Sequence, residues 1–236
     1  MSFVNWMDVL LSVQNPLLPS AAAMQMYLMA AWFTLELWCV VWAIRRVVPR
    51  FDQRNNVWAY GALFVALLYF NLSPDGKSPA YWLGLAFNAP STVSLLLCGL
   101  LWDRPAANTS PANPSPLNLW SQRLRFVWAA GGVALGYVLL LDLLALLPVQ
   151  LYAWGFSPLA LLVLMAVSLV PCVVLKPWER GNRWACLLPL SLLWFVATRL
   201  PTGNVWDVVL DPLLWVALHV YLVITVQRKK RLSAHP

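Results

Sequence analysis

The sixteen Lys and Arg residues alternate along this chain in a way that constrains its fold more than any other feature. Seven apolar stretches can be drawn as helices of roughly 20 residues, the length that crosses a hydrocarbon core about 30 Å thick. The segment after the first stretch carries Arg45, Arg46, Arg50 and Arg54, and the next carries only Lys77. The third carries Arg104, Arg123 and Arg125, and the fourth carries none. The fifth carries Lys176, Arg180 and Arg183, the sixth only Arg199, and the tail Arg228, Lys229, Lys230 and Arg231. Fourteen of the sixteen therefore share one side. Basic residues collect in cytoplasmic loops and set orientation. The pattern predicts an all-α, polytopic transmembrane bundle of about seven helices, with the N-terminus outside and the C-terminus cytoplasmic. It places the chain as a multi-pass protein of the inner, cytoplasmic membrane of a bacterium-like cell.

Composition agrees. Of 236 residues, 61% are hydrophobic and 11% charged, against about 25% charged in soluble domains. Seven spans use most of the chain, so residues 1–236 read as one integral membrane domain without a soluble module. The net charge of +7 is then a collar facing anionic lipid, not a nucleic-acid surface. The partners this implies are the lipid bilayer and other membrane subunits. Residues 1–20 lack a basic leader and read as an extracytoplasmic interfacial segment, which makes the first span an uncleaved signal-anchor. Residues 103–121 form a Pro-rich cytoplasmic loop with Pro105, Pro111, Pro114 and Pro116, and 227–236 a basic cytoplasmic tail.

The expected spans are 22–44, 57–71, 80–102, 126–147, 157–175, 184–198 and 205–226. Prolines punctuate them. Asn88-Ala-Pro90 should kink or break the third, and Pro171, Pro189 and Pro212 lie in the fifth, sixth and seventh. Each freed carbonyl needs a partner from a neighbouring helix or water, so the spans should pack as a bundle. A weak repeat runs through them. Trp58, Trp128 and Trp184 each open an outgoing helix shortly after an arginine, 70 and 56 residues apart. Three hairpins plus a seventh helix would explain it, and so would the ordinary placement of Trp and Arg at membrane interfaces. Gly132 and Gly136 form a GxxxG pair that permits close helix approach.

Ionisable residues inside a span are costly and mark candidate sites. Asp142 stands alone among leucines in the fourth span. Asp207, Asp211, Trp215 and His219 recur every four residues in the seventh, which stripes one helical face. Arg199 caps the sixth span and is placed to pair with Asp207, while Glu36 lies near the middle of the first. One reading is an outward-facing substrate- or ion-binding site of Asp142, Asp211, Asp207 and Arg199, continued inward by Glu36 and His219 as a proton or cation path. The other is structural: carboxylates hydrogen-bonded to indoles, hydroxyls and freed carbonyls.

The four cysteines fall inside spans without a CxxC and read as small buried apolar residues. No nucleotide, zinc-protease or serine-hydrolase motif is present, and the residues imply no metal and no cofactor. His235 is the only other histidine, which excludes bis-histidine haem ligation. No span holds a lysine, which argues against a retinal Schiff base. Three function classes remain, in this order. The first is a small transporter or permease component with an intramembrane carboxylate site. The second is a non-catalytic accessory or scaffold subunit of a larger membrane complex. The third is a membrane-embedded enzyme acting on a lipid or lipid-linked substrate.

Overall fold

The computed structural model describes residues 16–48, 57–72, 78–102, 116–175 and 182–233. Most of the interfacial segment and of the Pro-rich loop lie outside these residues. So do Arg50, Arg54, Lys77, Arg104, Lys176, Arg180 and His235. The fold is all-helical: 82% of the described residues are in helices, and no strand occurs among them.

Ten α-helices are described: α1 Ala21–Val47, α2 Val57–Asn71, α3 Pro79–Phe87, α4 Thr92–Trp102, α5 Pro116–Leu143, α6 Leu151–Trp154, α7 Pro158–Val174, α8 Leu187–Thr198, α9 Val205–Val209 and α10 Pro212–Ser233. A 3-10 turn, Arg183–Cys186, leads into α8. Sequence-encoded caps set many of the boundaries. Ser20, Ser78 and Ser157 each accept a hydrogen bond from a backbone amide three residues on, opening α1, α3 and α7. Pro79 and Pro158 follow two of these caps directly, where the missing amide costs nothing. Pro189 is likewise harmless as the third residue of α8.

Two helices, Ala21–Val47 and Ser121–Leu143, are long and apolar enough to cross a membrane. The other apolar helical stretches, such as 212–228 within α10, have 10–17 residues and reach only about 15–26 Å. Three departures from the expected spans stand out. The third span is two helices, because Asn88 takes a left-handed φ of 61° and Pro90 has no amide to continue the ladder. The seventh is also two helices, parted at Leu210-Asp211 before Pro212. The fourth starts earlier than expected, at Pro116, so the end of the Pro-rich loop is helical.

The α3–α4 break changes the chain's direction along α1. Leu28 faces Gly84, Trp32 packs on Phe87, and Tyr27 reaches Pro90. α3 thus climbs toward the N-terminus of α1, and α4 leaves from that level. Trp32 Nε1 donates to the Asn88 carbonyl at 2.8 Å, and Tyr27 Oη to the Pro90 carbonyl at 2.9 Å. α1 therefore supplies the partners that the break demands. On the other side, Ala160, Leu192, Phe195, Val205, Trp206 and Val208 form the buried core of α7, α8 and α9. α10 packs along α5. A Cβ on Gly132 would strike Leu218, and one on Gly136 the Trp215 ring, which is the close approach expected of that glycine pair.

Candidate functional site

Asp211 occupies the most constrained polar position. It is 7% exposed. Its Oδ1 accepts the Leu214 amide at 2.8 Å, which caps α10. Its Oδ2 accepts the Ser91 amide at 2.8 Å and the Ser94 hydroxyl. Ser91 in turn caps α4, its Oγ accepting the Ser94 amide at 3.2 Å. One carboxylate therefore closes the N-termini of two helices, each positioned by a proline-induced break. Helix N-termini carry partial positive charge, so the negative group is stabilised by both. Tyr27 extends the network through Thr92 Oγ1 at 3.3 Å.

Asp142 does not join Asp211. It ends α5, and its Oδ2 accepts the Tyr152 amide at 2.6 Å, which fixes the start of α6. Asp207 also meets Tyr152. Its Oδ2 accepts the phenol hydroxyl at 2.8 Å and the Thr202 hydroxyl at 2.5 Å. Asn204, fully buried, donates to the Tyr152 carbonyl at 2.9 Å. Trp206 Nε1 donates to the Leu151 carbonyl at 2.9 Å, and Val205 N to the Gly155 carbonyl at 3.0 Å. A side chain on Gly155 would collide with Asn204 and Trp206. This cap ties the α5–α7 connection to the α8–α9 loop. Burial, with Asp207 alongside, pushes the Tyr152 hydroxyl up, so it stays a neutral donor.

The expected pairing of Arg199 with Asp207 does not form. Arg199 ends α8 in a left-handed conformation, φ 59°, and its guanidinium lies 5.3 Å from the Phe195 ring centroid. The left-handed cap directs the side chain back over its own helix. His219 bridges α10 to α5. Its Nδ1 lies 2.8 Å from the Trp215 carbonyl and its Nε2 3.2 Å from Tyr137 Oη, with edge-on contacts to both rings. It packs there as part of an aromatic cluster.

Glu36 stands apart from these groups. Its Oε2 accepts the Asn71 amide at 2.8 Å. Asn71 Oδ1 accepts the Ser78 hydroxyl and the Ala80 amide, both at 3.2 Å. Glu36 Oε1 is sealed from solvent and has no hydrogen-bond partner. Asn71, the last residue of α2, is 5% exposed and joins α1, α2 and α3. The structure thus gathers Asp142 and Asp207 around Tyr152, gives Asp211 its own pocket, and leaves Arg199, His219 and Glu36 elsewhere. Sequence reasoning missed Ser91 and Ser94, although a serine just past Asn88-Ala-Pro90 is a legible helix-start signal. Nothing in the sequence singled out Tyr152. Among the described residues, no three metal-ligating side chains come together.

No protein family model, no curated protein and no solved structure matches this chain.

Proposed function

We propose that the chain is a multi-pass integral membrane protein of the inner membrane, N-terminus outside, serving as a non-catalytic accessory or scaffold subunit. The membrane reading rests on how its apolar helices are placed. A buried core helix of a soluble protein would hide its apolar side chains. Here only 22% of the apolar stretch in α1 and 6% of that in α5 is buried. Trp58, Tyr69, Leu143 and Val173 are each more than 70% exposed, which water would not tolerate over so much surface. Arg–aromatic contacts recur among the basic residues of one predicted side: Arg46 over Trp42, Arg45 over Tyr60 and Arg125 over Trp184, at 5.3–5.7 Å. That supports one basic interface, with the seven-span count as part of the same proposal.

The structural role rests on the engagement of Asp211. A cation site needs a carboxylate oxygen able to exchange partners. Both Asp211 oxygens are held by fixed helix-end donors, and Asp142 and Asp207 hold loops in the same way. Rigidity is what these aspartates supply. A transport role has one foothold, the unpartnered Glu36 Oε1, and remains the second reading.

Reconstitution separates the two. The protein, purified in mild detergent, is expected to co-migrate in fixed stoichiometry with another membrane polypeptide. In proteoliposomes it should add no proton or cation flux above the lipid leak. Flux that disappears in Glu36→Gln or Asp211→Asn would overturn the subunit reading in favour of transport.

A further inference from the structure

We infer that Cys172 and Cys186 form a two-sulfur site for a soft monovalent metal ion, copper(I), where α7 meets the turn that opens α8. The four cysteines read from sequence as small buried apolar residues, yet of the four only Cys98 is buried. Cys172, near the end of α7, and Cys186, the last residue of the 3-10 turn, are partly exposed free thiols. They are fourteen residues apart in sequence, and the fold brings their sulfurs close enough to act as hydrogen-bond partners. Cys172 Sγ also donates to the Ala185 carbonyl at 3.1 Å, which fixes it against the turn that carries Cys186.

Three observations select the ion. The first is the donor set. Thiolate sulfur favours copper(I), zinc and iron–sulfur clusters. Structural zinc and iron–sulfur clusters take four protein ligands, and among the described residues no third His, Cys, Asp or Glu joins this pair. Copper(I), a closed-shell monovalent ion, is satisfied by two thiolates in line. The second is the position of Cys186. It is the N-cap of α8, a helix of 12 residues, and its side chain makes no capping hydrogen bond. The partial positive charge of a helix N-terminus favours an anionic ligand set there. The third is the surrounding charge. Arg183 is exposed in the same turn, and Arg125 lies over the Trp184 ring at 5.6 Å. Binding balances without electron transfer: each thiol releases its proton to solvent, two sulfur–copper bonds form, and the complex keeps one net negative charge.

The test uses the full chain, purified in detergent under anaerobic, reducing conditions and titrated with copper(I) held by a coloured chelator. The wild type should withdraw one copper per chain, read as loss of the chelate colour and growth of a thiolate-to-copper band in the ultraviolet. Its melting temperature should rise with the ion bound. Cys172→Ser and Cys186→Ser should each abolish both the uptake and the rise, while Cys39→Ser and Cys98→Ser leave them unchanged. Cys172→Ala and Cys186→Ala repeat the measurement with an apolar replacement, and a wild-type melt without copper shows that each variant is folded. No uptake by the wild type overturns the proposal, as does copper retained by either single variant. Zinc(II) taken up as well as copper(I) overturns the two-sulfur assignment. Copper lost in Cys39→Ser or Cys98→Ser also overturns it and moves the site to α1 and α4.

Discussion

Two carboxylates, Asp211 at the start of α4 and Glu36 on α1, have opposite hydrogen-bond accounts. Asp211 is buried, and each of its oxygens is used, by the Leu214 amide, the Ser91 amide and the Ser94 hydroxyl. Glu36 is only half-buried, yet one oxygen is closed off with no donor. Depth alone does not set what a carboxylate costs. A deep one at two helix N-termini is stabilised by donors that folding must otherwise leave orphaned. A shallower one beside a single asparagine keeps an unmet demand.

The contrast breaks most sharply at Asp211. Asp211→Ala removes one acceptor group and strands three donors in a dry pocket, each worth about 1–3 kcal/mol. The expected loss is about 3 kcal/mol or more, read as a large drop in melting temperature in detergent. Asp211→Asn should fall between this variant and the wild type, because one carbonyl oxygen can still cap one helix. A wild-type melt for Asp211→Ala would mean the two helix starts hold without their common clamp.

A smaller effect lies on the α1 side of the same break. Trp32→Phe keeps the ring against Phe87 but leaves the Asn88 carbonyl without its indole donor. The expected cost is about 1 kcal/mol. If the combined change Trp32→Phe with Tyr27→Phe costs no more than either alone, α1 does not support the break in the way the distances indicate.

Glu36→Gln should act with the opposite sign. The amide keeps an oxygen for Asn71 and removes the charge from a site with too few donors. A gain of up to about 1 kcal/mol is expected. A clear loss would show that the charged form is being used, and would strengthen the transport reading.

What the sequence disclosed follows the range of each interaction. Helix content, the expected break at Asn88-Ala-Pro90 and the Gly132–Gly136 approach are local signals, written in runs of apolar residues, in one proline and in one spacing. The prominence of Asp211 was also legible, since a carboxylate among apolar residues stands out. Its partners were not. Ser91 and Ser94 are more than a hundred residues away, and only the packing of α4 against the α9–α10 junction brings them there. The sequence reading grouped Asp142 with Asp211 in one outward-facing site, but Asp142 closes a loop ten residues further on. Arg199 was matched to Asp207 by charge. The left-handed end of α8 turned it onto Phe195 instead, a backbone feature that charge patterning does not encode.

Asp207 lies between the two extremes. One of its oxygens takes both the Tyr152 and Thr202 hydroxyls, and the residue is only partly buried. Asp207→Asn keeps a carbonyl oxygen for those hydroxyls, so it should cost about 0.5 kcal/mol, the smallest effect of the set. The check is its melting temperature against wild type in detergent. A loss as large as that of Asp211→Asn would place Asp207 with Asp211 as a carboxylate on which helix ends depend.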